Sequence, residues 1–158
     1  MKNLKKILIF LSFSLFSFFP LNSQQIGGFG PRIGFSAGTL TQVNLGFHFT
    51  IYEILERVNF QPNFEVGIGD NRTTLALGLE FLYMIKRPRF GPYVGGGVGI
   101  NNYNWEDRMG HGRSKTEASI NLLTGIEKKL KRGSKGFFEI KIIVADITLA
   151  KFTVGYKF

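Results

Sequence analysis

From Gln24 onward the chain reads as alternation. Apolar and polar residues exchange places at every step through roughly eight segments, each separated from the next by a short turn-like stretch. The segments fall at 29–38, 42–52, 58–70, 72–85, 92–103, 116–128, 136–146 and 150–158. Val43, Leu45, Phe47, Phe49 and Ile51 form the apolar face of the second. Leu75, Leu77, Leu79, Phe81 and Tyr83 form that of the fourth, and Phe138, Ile140, Ile142 and Val144 that of the seventh. A period of two puts such residues on one side of a β-strand. The pattern predicts an all-β fold.

The opposite faces carry Arg32, His48, Glu65, Glu80, Glu117, Glu127, Glu139, Lys141, Lys151 and Lys157, with Asn44, Gln61, Asn63, Ser119, Asn121 and many glycines. Two architectures give this alternation. A soluble barrel or sandwich turns its apolar face inward; a membrane barrel turns it to lipid and its polar face to the lumen. Glycine decides for the membrane. Gly34, Gly46, Gly67, Gly69, Gly78, Gly95, Gly97, Gly99, Gly125 and Gly155 all share the polar face. Glycine weakens a solvated strand, but inside a narrow barrel it makes room for a long side chain opposite. Aromatic residues near the segment ends (Phe29, Phe60, Tyr83, Phe90, Tyr93, Phe138, Phe158) suit an interfacial girdle. The expectation is an eight-stranded antiparallel transmembrane β-barrel.

The first residues are of another kind. Lys2, Lys5 and Lys6 precede an apolar run from Ile7 to Phe19, ended by Pro20, with Ser23 before Gln24. The run falls short of the about 20 residues of a spanning helix and reads as a signal peptide rather than a retained anchor. The domain reading is therefore a signal peptide at 1–23 and a barrel at 24–158. Export and the absence of Cys suit the envelope of a two-membrane bacterium. Removing those three lysines takes the formal charge from +9 to +6. The remaining basic runs, 86–89 and 128–135, sit in turns and suit lipid headgroups; nucleic acid is not an expected partner. Both termini fall on the periplasmic side, with inner turns near 53–57, 86–91 and 129–135. Residues 104 to 115 form the long outer loop, the element through which a surface partner would bind. Pro62, without an N–H, is expected near a strand end.

The export signal, "GPYVGGGVGINNY" at 91–103 and the aromatic ending "KFTVGYKF" together resemble the small outer-membrane β-barrel proteins of the OmpA/OmpX and opacity-protein (porin-like) type. The resemblance implies residence in the outer membrane among its lipids. It also implies that Phe152, Tyr156 and Phe158 are the signal read by the outer-membrane assembly machinery. The short first, second and fourth outer loops depart from that family.

Candidate chemistry is sparse. "VGGGVG" at 94–99 lacks the Lys-Ser/Thr of a phosphate loop and the helix of a dinucleotide site. Glu106, Asp107 and His111 share the outer loop, but their spacing fits no metal motif, and Arg108, Arg113 and Lys115 crowd them. Ser114, Ser119, Glu117, His48 and His111 make no nucleophile motif; a lipid-modifying barrel hydrolase is the third-ranked reading. His48 reads as a hydrogen-bonded lumen filler. No catalytic, cofactor or metal residue is assigned. Arg32, Lys141, Lys151 and Lys157 face Glu65, Glu80, Glu117, Glu127 and Glu139 across a narrow bore, so ion pairing is expected. The leading reading is a lumen plugged by these side chains, in a protein with a structural or surface role. A narrow solute or ion channel is the alternative.

Overall fold

The computed structural model describes residues 26–69, 72–85, 90–106, 111–130 and 133–158. The signal-peptide reading of residues 1–23 lies outside them. Eight strands run in order: β1 (Ile26–Gly38), β2 (Gln42–Leu55), β3 (Val58–Gly69), β4 (Arg72–Met84), β5 (Gly91–Glu106), β6 (Gly112–Lys129), β7 (Lys135–Val144) and β8 (Leu149–Lys157). Each pairs antiparallel with its neighbour, and β8 returns to β1, with Arg32 opposite Gly155 and Phe35 opposite Phe152. Closure removes both sheet edges, the condition for β-structure in a bilayer, where water cannot satisfy backbone groups.

The barrel is inverted relative to a soluble one. Phe47, Leu77, Val98, Ile120, Ile142 and Val154 stand exposed on the outside, while Arg32, Glu65, Glu80, Glu139 and Lys141 are 3% exposed or less. Apolar outside and charged inside is the arrangement of a transmembrane β-barrel. The end that carries Ile26 and Phe158 is the near end, and the opposite one the far end.

Three local features differ from the sequence reading. Residues 104 to 115 are mostly strand: Tyr103 pairs with Lys115, Asn104 with Ser114, Trp105 with Arg113 and Glu106 with Gly112. Their polar side chains hide the strand signal because this part of the hairpin rises past the apolar band. Pro62 lies inside β3, opposite Leu79. The missing N–H is accommodated on the β2 side, where matched positions stop at His48–Asn63 and resume at Ile51–Phe60. Across that gap the Thr50 hydroxyl donates to Gln61 Oε1 at 3.2 Å. Finally, of the helical turn and the strand extension that "YEILERV" allows, the strand extension is present, and the turn expected near 53–57 narrows to Glu56 and Arg57 between β2 and β3. Glu53 and Arg57 adopt φ of 51° and 63°, the left-handed region that L residues seldom occupy. The Glu53 N–H donates to Asn59 Oδ1 at 3.0 Å, which ties down the register shift of β2 between Ile51 and Leu55.

Candidate functional site

The lumen holds the densest chemistry of the described residues. Along β7 the inward column reads Phe137, Glu139, Lys141, Ile143 from near end to far. Charges occupy its middle and apolar side chains its ends. Other strands likewise turn from apolar to polar or charged toward the middle: Leu82 then Glu80 on β4, Leu123 then Asn121 on β6, and Leu149 then Lys151 on β8.

In the middle, three cations meet three carboxylates. Arg32 Nη2 donates to Glu139 Oε1 at 2.5 Å, and its Nε lies 3.1 Å from Glu65 Oε1. Lys141 Nζ is 2.6 Å from Glu80 Oε1, and 3.7 and 3.8 Å from Glu139 and Glu65. Lys151 Nζ donates to Glu65 Oε2 at 2.5 Å. Asn121 Nδ2 donates to Glu80 Oε1 at 3.2 Å, and the Tyr93 hydroxyl to Glu139 Oε2 at 3.1 Å. Ions of one sign alone could not be desolvated here; paired and hydrogen-bonded, they can.

Apolar groups flank this cluster, the near-end one confined to β4–β6, between Asn59 of β3 and Lys141 of β7. Leu40, Tyr103, Ile143 and Leu149, with Trp105 and Ile147 against them, pack together at the far end. Toward the near end, Leu82, Tyr93 and Leu123 pack with Met84. Periodicity alone does not reveal either group, because its strand members sit at polar-phase positions occupied by apolar residues, and Leu40 lies in the turn between β1 and β2. Tyr93, expected in the outer girdle, is one of them: it is 1% exposed and points inward. The signal for it was its partner. Tyr93 pairs directly with Gly125, and a Cβ there would run into the tyrosine ring. Phe137 lies over its own partner Gly155 in the same way. These lumen glycines make room for aromatic rings as well as for charges.

Toward the ends, the remaining sequence-singled residues divide. Glu127 pairs with Lys157 at 3.3 Å and with Lys135 at 2.7 Å near the near end. Glu117 pairs at the far rim with Lys115, a cation the sequence reading assigned to the loop; its other oxygen accepts from the Ile147 N–H at 3.3 Å. Lys115 also reaches Asp146 at 2.9 Å, which links the β5–β6 hairpin to the turn before β8. These two carboxylates push the Lys115 ammonium up to about 12 from its ordinary 10.5, Glu117 contributing first.

His48 is fully buried, its ring edge-on to Phe137 at 5.0 Å. Neither ring nitrogen has a hydrogen-bond partner among the described residues, contrary to the expected hydrogen-bonded filler. Gln61 Nε2, Thr153 Oγ1 and Arg32 Nη1 share that condition. Groups of this kind are ordinarily satisfied by internal water. Ser119 is occupied by Asn101 and Asn121, at 3.0 and 3.2 Å, so it does not meet His48. Ser114 shares the outward phase of Asn104, whereas Glu117 points inward. Glu106 and His111 flank the connection that contains Asp107, which lies outside the described residues. Among the described residues, no three His, Asp or Glu come together as a metal site would require.

Phe152 and Phe158 are exposed on the outer surface, and Tyr156 is half-buried there. Tyr156 and Phe158 meet edge to face at 4.7 Å, and Phe158 contacts Phe29 at 5.5 Å.

A closed eight-stranded barrel with apolar exterior and charged interior is the outer-membrane β-barrel fold. Among solved structures, Neisserial surface protein A superposes with a TM-score of 0.67 at 9% identity, over 83% of this chain and 94% of that one. The N-terminal β-barrel domain of Pseudomonas aeruginosa OprF gives 0.65 at 13% identity, over 84% and 99%. Ail, the attachment invasion locus protein of Yersinia pestis, gives 0.56 at 11% identity, over 84% and 95%. At such identities the likeness is one of fold. No protein-family model matches the chain, and no curated protein matches it in sequence.

Proposed function

We infer that this chain is a non-enzymatic outer-membrane barrel with a closed lumen, whose role is structural or surface-interactive. One observation carries the reading: the balanced cluster of Arg32, Lys141 and Lys151 with Glu65, Glu80 and Glu139 lies between two apolar groups. A conducting path needs continuous water, and paired charges between apolar groups leave little room for it. Single-channel recording on the refolded protein tests this, since a plugged barrel passes no steady current.

The β5–β6 hairpin is the contact element in this reading. It is the longest hairpin, and its rim groups Asn104, Trp105, Arg113 and Ser114, with Arg72 of β4, line a cavity of about 680 Å³. One of the fold neighbours, Ail, has been crystallised with the heparin analogue sucrose octasulfate, so a barrel of this fold can present a surface to a soluble ligand. In the proposed orientation the far end faces outward and the near end the periplasm, after removal of residues 1–23. Phe152, Tyr156 and Phe158 then serve as the signal for the assembly machinery.

The second reading, a narrow channel, draws support from His48, Gln61, Thr153 and Arg32, whose unpartnered polar atoms favour water in part of the lumen. It would require water to pass the Leu40–Tyr103–Ile143–Leu149 group.

A further inference from the structure

The two ends of the barrel differ in charge. The three near-end connections, 53–58, 85–91 and 127–135, hold nine Lys and Arg against three Glu. The four far-end connections, 38–42, 69–73, 104–116 and 144–149, hold four basic and four acidic residues. Solubility alone would place charge at both ends alike. A sequence excess of basic residues in the connections of one end is instead complementary to an anionic lipid surface.

The local geometry supplies a place for one phosphate. Lys128 follows Ile126 in the outward column of β6, so its ammonium stands where the apolar band ends. It lies 5.6 Å from the centre of the Phe90 ring, at the range of a cation–π contact. Across the sheet Lys128 is opposite Gly136, and Gly136 is opposite Tyr156. Lys128 and Tyr156 thus stand on either side of a position with no side chain, with the Lys128 ammonium resting toward Phe90, just before β5. A Cβ at Gly136 would approach only Leu130 closely, at 3.3 Å, so the space over this backbone is bordered by an aliphatic group. Ile126 and Phe138, 40% and 42% exposed, continue below it along the lipid face. Polar donors above and apolar side chains below match the division of a phospholipid into headgroup and acyl chains.

We propose that the Lys128–Gly136–Tyr156 row binds the headgroup phosphate of an anionic phospholipid, whose acyl chains lie along Ile126 and Phe138. The inference rests on the membrane reading of the barrel but is independent of whether the lumen conducts. Native mass spectrometry of the full barrel from nanodiscs of mixed phosphatidylcholine and phosphatidylglycerol tests it. Phosphatidylglycerol should be retained several-fold over phosphatidylcholine, Lys128→Gln should abolish the preference, and Lys128→Arg should keep it. High salt should weaken the preference in the unmodified protein, because the site is at the membrane surface. Equal retention of both lipids, or a preference unchanged in folded Lys128→Gln and insensitive to salt, overturns the proposal. Failure of the membrane reading itself would appear earlier, as protein that does not enter the nanodisc at all.

Discussion

The backbone N–H of Phe158 donates to the carbonyl of Phe29 at 2.9 Å, and their rings lie 5.5 Å apart. One bond therefore continues the β8–β1 seam past the end of β8, and one ring contact covers it on the lipid side. The two contributions can be separated. Phe158→Ala keeps the backbone bond and removes the ring. It should lower outer-membrane levels in cells sharply, while refolding in detergent changes little. Wild-type levels in cells for the double variant Tyr156→Ala/Phe158→Ala would show that these rings are not an assembly signal.

Glu80 is the main partner of Lys141, at 2.6 Å, and both are buried. Glu80→Ala leaves the ammonium with Glu139 and Glu65 at 3.7 and 3.8 Å. Loss of one member of a buried pair costs about 3–5 kcal/mol, and this change should lower stability by an amount of that order. Removing the cation as well, in Glu80→Ala/Lys141→Met, should restore part of the loss. Urea unfolding in detergent measures both, and equal stability of the wild type and Glu80→Ala would refute the pairing.

Strand number, phase and the set of inward charges were legible in the sequence because a closed barrel enforces alternation over every strand. Which charges meet was not. Arg32 and Glu139 are 107 residues apart, Lys151 and Glu65 86, and only barrel closure brings them together. The apolar lumen groups escaped for another reason. Tyr93, Leu123 and Ile143 occupy the polar phase, and the residue type at such a position does not announce its direction. The extent of the β5–β6 hairpin escaped because strand beyond the membrane need not alternate: Asn102, Asn104, Ser114 and Thr116 are polar on the outward face.

Because β5 runs to Glu106 and β6 starts at Gly112, cleavage on intact cells should be confined to the connection between them. Trypsin should cut after Arg108 in preference to Arg113 or Lys115, which lie in paired strand. Mass spectrometry of the released fragments distinguishes these sites. First cleavage within 128–135 on intact cells would reverse the proposed orientation.

Lys115 offers a pH test at the far rim. Its folded pKa of about 12 exceeds the ordinary 10.5. The stabilising link to Glu117 and Asp146 is therefore fully present below about pH 10.5, and is lost as pH rises through 12. The ¹⁵N shift of the Lys115 ammonium should titrate near 12 in the wild type and move down in Glu117→Gln. A midpoint near 10.5 in both proteins would remove Glu117 as the cause.

The central claim is that the ion-paired core and its flanking apolar groups close the lumen. Planar-bilayer recording of the refolded wild-type barrel tests it most directly. The account predicts a silent baseline, at most brief and irregular events, across the range of applied voltage. Steady, voltage-independent conductance of porin size from the folded barrel would contradict it.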